Sequence, residues 1–176
     1  MSSNLFWYDV YQDDETFWSA YNGSAIPAGT GFTTSVSEET TIVKSGTSSL
    51  KISPVSGGNY DYGGARHTYG SVQDWSAYNC INFMFYGSNS NESWGLYIYG
   101  DNPYPSNNFL FTDDFTGWQI KSWLYDLPTS KSGGGHDFSA VKIASLHITG
   151  IVNETINYLG RMWLSRYGYD VARWMT

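Results

Sequence analysis

The chain has 176 residues, enough for one domain with a real core, and carries a formal net charge of −7. Its few Lys and Arg are scattered, which excludes phosphate-neutralising nucleic-acid binding and disfavours docking on an anionic membrane. Aromatic residues reach 18% against 14% charged, so the surface is left to Gly, Ser, Thr, Asn and ring hydroxyls, and it suits a polar, uncharged partner.

Cys80 is the single cysteine, which excludes an intrachain disulfide and a Cys-based zinc site. Beside an apolar strand it reads as a small buried hydrophobe. No run of roughly 18 apolar residues is present to span a membrane as a helix. Met1-Ser2-Ser3-Asn4 lacks the basic and apolar regions of a signal peptide. The expectation is an extracellular or cell-surface protein whose signal peptide is not part of this sequence.

Apolar residues recur at period two rather than at helical spacing. Thr41–Val43 and Ser49–Ser53 read as strands around the turn Ser45-Gly46-Thr47, with Leu50 and Ile52 inward. Ile81–Tyr86 puts Ile81, Phe83 and Phe85 on one face. Trp94–Asp101 turns Leu96 and Ile98 inward and Tyr97, Tyr99 and Asp101 outward. Leu146–Thr149 turns Leu146 and Ile148 inward and His147 outward. Met162 and Leu164 share a face opposite Arg161 and Trp163. Gly, Asn, Ser and Pro clusters at 56–59, 87–91, 101–108 and 130–135 read as loops. The last ten residues read as a helical turn or a tail. Many short strands at this spacing predict an all-β, two-sheet antiparallel sandwich. It would form one domain over 1–176, with its core at about 5–165.

Several segments carry a resemblance. They are Asp9 in an early aromatic strand, Val43-Lys44-Ser45-Gly46-Thr47-Ser48-Ser49-Leu50-Lys51-Ile52, and Trp75-Ser76-Ala77-Tyr78-Asn79-Cys80-Ile81-Asn82-Phe83. Phe115-Thr116-Gly117-Trp118 follows, then a last strand around Tyr158–Leu164. In this order they resemble the galactose-binding-like jelly-roll carbohydrate-binding modules of families 4, 11 and 22. The resemblance implies a jelly-roll sandwich with one aromatic-lined sheet that grips a β-glucan or a related chain. It further implies a non-catalytic monomer joined in nature to a catalytic domain. Many members hold a structural calcium ion, for which Asp9 and Glu39, with Glu38, are the matching carboxylates here. The last strand departs from the pattern: Tyr158-Leu159-Gly160-Arg161-Met162 has no acidic residue, and calcium wants about six to eight oxygens. That departure weighs against the ion, and Arg161 offers an ion pair in its place.

Sugar recognition needs aromatic faces for C–H patches and polar groups for hydroxyls. Two stretches supply both, Tyr60–Tyr69 and Trp94–Tyr104. The ligand-binding candidates are Tyr97, Tyr99, Trp94, Asp101, Arg66, His67, Tyr62, Tyr104 and His147. If the two stretches share a sheet, Tyr97, Tyr99 and Arg66 or His67 stand on a common face. The competing reading is that Tyr97 and Tyr99 only cover a solvated sheet. Trp118 and Trp75 read as structural, and Trp123 and Trp163 stay open.

The pairs Asp13-Asp14, Glu38-Glu39 and Asp113-Asp114 invite a glycosidase reading, but strand neighbours point to opposite faces and cannot form a dyad alone. His67 with Tyr69 is the pair that a polysaccharide lyase would use. A structural or interaction domain of a viral or assembly protein is the alternative from a different class.

Overall fold

A computed structural model of the chain describes residues 7–11, 17–24, 33–55, 61–101, 105–149 and 155–166, with the backbone alone at 7–11, 24, 61 and 149. The described strands are β1 (Trp7–Tyr11), β2 (Ser19–Ser24), β3 (Thr33–Glu39), β4 (Ser49–Val55), β5 (Asp61–Gln73) and β6 (Cys80–Ser88). They continue with β7 (Ser93–Tyr99), β8 (Ser106–Thr112), β9 (Thr116–Leu124), β10 (Ser130–Ser132), β11 (Val141–Thr149) and β12 (Asn157–Ser165).

The strands pair into two antiparallel sheets. The first runs β3-β4-β12-β6-β9, with β1 laid against the far half of β12; the second runs β10-β8-β7-β11-β5-β2. Trp7 at the start of β1 pairs with Ser165 at the end of β12. The expected two-sheet sandwich is thus the observed one. The Tyr60–Tyr69 and Trp94–Tyr104 stretches do meet in one sheet, through β5 and β7 with β11 between them.

The alternation read from the sequence sets the core. Leu50, Ile52, Ile81, Phe83, Phe85, Leu96, Ile98, Leu146, Ile148, Met162 and Leu164 all point between the sheets and are fully buried. Each is worth about 1.5–3 kcal/mol in water-excluded area. Facing rows of β-branched and aromatic side chains are what a pleated, half-buried surface selects.

Ser106–Asn108 and Ser130–Ser132, read from the sequence as loop, are strand in β8 and β10, and the pairing of β4 also differs from the expectation. β4 pairs with Thr33–Glu39, not with Thr41–Val43. The cause is local: Glu39 Oε1 accepts the Thr41 and Ile42 amides at 2.6 and 3.3 Å, which folds the chain into a turn there. Ser49 Oγ then donates to the Ile42 carbonyl at 2.7 Å and closes the loop.

At one end of the sandwich, fully buried Asp113 ties three segments together. Its Oδ2 accepts Ser88 N–H at 3.1 Å, Ser88 Oγ at 3.0 Å, Ser90 Oγ at 2.8 Å and Asn157 Nδ2 at 2.9 Å. Its Oδ1 accepts the Asn89 amide at 3.3 Å. Burial alone would raise its pKa, but the bonds from Asn157, Ser90 and Ser88 outweigh burial and hold it below the usual carboxylate range. Asp113 is therefore a structural acid.

Candidate functional site

The outward side chains of the second sheet form two adjacent rows. Ser130, Asn108, Tyr97, Ser145, Arg66 and Ser19 lie side by side across β10, β8, β7, β11, β5 and β2. The next row is Leu110, Gly95, His147, Gly64 and Tyr21. His147 thus sits between two glycines, and they make room for the rings around it. A Cβ at Gly95 would meet the Tyr97 ring at 2.5 Å, and one at Gly64 would run into the Leu146 carbonyl.

Into that room the aromatic rings fold. Tyr97 stacks on the His147 imidazole at 3.9 Å and 9°. Tyr99 lies 6.2 Å from Tyr97 and within 12° of parallel. Tyr62 and Tyr21 each stand 5.5 Å from His147 on its other side. The Arg66 guanidinium lies 3.3 Å over the Tyr21 ring and 6.0 Å from Tyr99. Tyr97, Tyr62, Tyr21 and Arg66 are half-buried, and Tyr99 is 6% exposed.

The electrostatics follow from this packing. His147 is 5% exposed and shares a hydrogen bond with Ser145 Oγ at 3.1 Å. Burial first, and the nearby Arg66 charge second, push its pKa down to about 3, so the imidazole is neutral. Burial raises the Tyr97 hydroxyl, and also Tyr21 and Tyr99, where neighbouring tyrosines add to the effect and Arg66 opposes it. All three stay protonated and able to donate. Asn108 is spent internally: Ser106 Oγ donates to its Oδ1 at 2.8 Å, and its Nδ2 donates to Ser130 Oγ at 3.1 Å.

The structure brings together Tyr97, Tyr99, Arg66, Tyr62 and His147 of the expected residues, with His147 lying beneath Tyr97. Two others it turns away. Trp94 is wholly buried, because it shares the inward parity of Leu96 and Ile98, and its ring packs on Phe85 at 5.2 Å. His67 is adjacent to Arg66 and so projects to the opposite, inner side. There it stacks on Phe17 at 3.4 Å, bonds the Phe17 carbonyl through Nδ1, and has its pKa lowered by burial. Its companion Tyr69 is buried at 4.4 Å, so the pair that a lyase would use faces the interior. Asp101 is exposed in the bend beyond β7, and Tyr104 lies outside the described residues.

Tyr21 joins this cluster, against Tyr62, His147 and Arg66, without a signal in the sequence. Its strand, Ser19-Ala20-Tyr21-Asn22-Gly23-Ser24, is short and polar, and a lone aromatic between Ala20 and Asn22 gives no period-two signal. Only its pairing with β5 reveals its place.

The remaining aromatics cover other surfaces. Trp118, Tyr86 and Tyr158 lie on the outer side of the first sheet, with Tyr86 edge-on to both neighbours at 5.5 and 5.4 Å. Trp163 is on that sheet too, opposite Asn82, and adds nothing to the Tyr97 face. Trp123 packs inward on Phe83 at 5.6 Å.

The described side chains do not fit a calcium shell. Among the described residues no three His, Cys, Asp or Glu gather to hold a metal ion. Glu39 already has one oxygen on two backbone amides. Asp9 lies on β1 opposite Trp163, and only its backbone is described.

No protein-family model matches the sequence, and no curated protein does. Solved structures do match in fold. The family 11 carbohydrate-binding module from Clostridium thermocellum, in complex with a β-1,3-1,4-mixed-linked tetrasaccharide, superposes with a TM-score of 0.64 at 16% identity, over 93% of this chain and 97% of that one. The family 30 carbohydrate-binding module of the cellulosomal cellulase Cel9D-Cel44B of Clostridium thermocellum gives 0.62 at 15% identity, over 94% and 100%. An exo-β-agarase gives 0.63 at 12% identity, over 81% of this chain but 24% of that one. These similarities place the chain in the jelly-roll sandwich architecture of such modules.

Proposed function

We propose that the chain is a non-catalytic carbohydrate-binding module that holds a polysaccharide of β-glucan or hemicellulose type on the outer face of its second sheet. One observation carries this reading. Tyr97 presents its ring in one row with Arg66, backed by the nearly parallel, buried Tyr99 ring and bordered by the half-buried Tyr62 and Tyr21. Ring faces take the C–H patches of pyranoses, and the hydroxyls and guanidinium take their oxygens. The sandwich fold shared with two carbohydrate-binding modules supports it.

No carboxylate pair faces another across this surface among the described residues, and the role of the face is binding. Affinity of such hydrated partners falls in roughly the micromolar to millimolar range. The module works outside the cell, as a monomer tethered to a catalytic domain. A matching fold that forms one part of a longer agarase chain is in keeping with that arrangement. Affinity electrophoresis and calorimetry against mixed-linkage β-glucan, xylan, mannan and galactan test the reading. Retardation on at least one is expected, and none on any of them overturns it.

A further inference from the structure

Among the described residues, the charge on the aromatic face has no acidic counterpart. Arg66 forms no ion pair among the described residues, and its Nε is buried without a hydrogen-bond partner there. Among the described residues, Tyr21, Tyr99 and His147 feel this guanidinium and neighbouring tyrosines but no carboxylate, and the Tyr21 hydroxyl is the hydrogen-bond partner that Arg66 does have. An arginine that serves only the fold is ordinarily satisfied by a carboxylate or by backbone carbonyls. This one is held over the Tyr21 ring at 3.3 Å, with Tyr99 at 6.0 Å.

The chemistry of the guanidinium points to a ligand. Neutral sugar hydroxyls donate as well as accept, so a site for them needs acceptors. The Tyr21 and Tyr97 hydroxyls can do both, whereas the guanidinium only donates, and the Ser145 hydroxyl is buried against His147. The amide oxygen of Asn108 is already taken by Ser106. A planar guanidinium, which only donates, is complementary to an oxyanion.

We infer that the bound polysaccharide carries an anionic group, a uronate carboxylate or a sulfate ester, and that Arg66 takes it while Tyr97 holds the adjoining ring. This rests on the carbohydrate-binding reading and narrows it. The anionic groups are sparse along the chain. A densely charged polymer would be repelled by the net charge of −7, whereas an isolated anion is seen mainly by Arg66, because salt screens beyond about 8 Å.

Matched polymers test this. Glucuronoxylan is compared with its carboxyl-reduced form, and a sulfated galactan with its desulfated form, by calorimetry on the wild-type protein, Arg66→Gln and Arg66→Lys. Thermal unfolding checks that each variant is folded. The wild type is expected to favour one charged parent by about tenfold over its neutralised form. The pair that shows the preference tells carboxylate from sulfate. The preference falls to about twofold or less in Arg66→Gln and survives in part in Arg66→Lys, which keeps charge without the fork. Equal binding of parent and neutralised polymers by the wild type overturns the inference and leaves the carbohydrate-binding reading standing. An undiminished preference in Arg66→Gln overturns it too. No binding to these polymers or to mixed-linkage β-glucan overturns both.

Discussion

Replacing His147 by Phe tests whether the imidazole is held neutral under the aromatic face. In the folded chain its pKa is pushed from 6.5 to about 3 by burial and by Arg66. An unfolded chain takes up that proton near 6.5, and the folded one refuses it until about 3. Between those values the unfolded state binds more protons, so the stability due to this group is complete above 6.5 and is lost as the pH falls. Each pH unit in the window is about 1.4 kcal/mol, so going from about pH 7.5 to about pH 5 costs about 2 kcal/mol. For a domain of this size that is a Tm shift of roughly 4–8 °C.

His67, also lowered by burial and partly offset by its Phe17 bond, adds in the same direction, but equally in both proteins. Asp113 does not enter, because its titration lies below 3.8. His147→Phe keeps a ring under Tyr97 and leaves Ser145 Oγ without its partner. Its Tm is expected to be lower than that of the wild type at neutral pH, while the acid-induced drop shrinks by roughly 4–8 °C. Thermal unfolding followed by circular dichroism at the two pH values reads both effects. Parallel pH dependences in the two proteins refute the argument, since they would mean that the imidazole titrates as freely folded as unfolded.

Further outcomes separate the face from the scaffold. Tyr97→Ala lowers polysaccharide affinity by about tenfold or more in calorimetry, through the lost ring face. Gly95→Ala puts a Cβ against the Tyr97 ring at 2.5 Å and tilts it, so affinity falls while unfolding free energy changes by about 1 kcal/mol or less. Trp94→Phe leaves affinity unchanged and lowers stability by about 1–3 kcal/mol, as expected of a core ring. Asp113→Ala strands the Ser88 and Asn89 amides and the Asn157 amide group, and lowers stability by roughly 3–5 kcal/mol in urea titration.

Much of the face was legible because strand parity is binary. Tyr97, Tyr99 and His147 alternate with Leu96, Ile98, Leu146 and Ile148, and the structure keeps each on the side that the sequence pattern assigns. The same rule excludes Trp94, whose even number puts it with Leu96. It also allows only one of the neighbours Arg66 and His67 outside, but parity within an isolated stretch cannot say which, because Gly63, Gly64 and Ala65 carry no apolar signal. Pairing with β11 decides it, by setting Ala65 opposite Leu146. Tyr21 needed the same long-range information. The order of strands across a sheet is fixed by contacts distant in sequence, and a single chain read from end to end does not contain them in local form. The Thr41–Val43 expectation failed for the opposite reason, a side-chain bond two residues away.

The pairing of Trp7 with Ser165 has a mechanical meaning. A tether leaving from these two strand ends would pull them apart at the same end of one antiparallel ladder. The bonds between β1 and β12 would then open one after another, as a zipper does, instead of resisting together in shear. Under tension β1 peels first. The second sheet shares no ladder with either strand, so a pull applied through both ends opens the first sheet and leaves the strand pairing under the Tyr97 face intact.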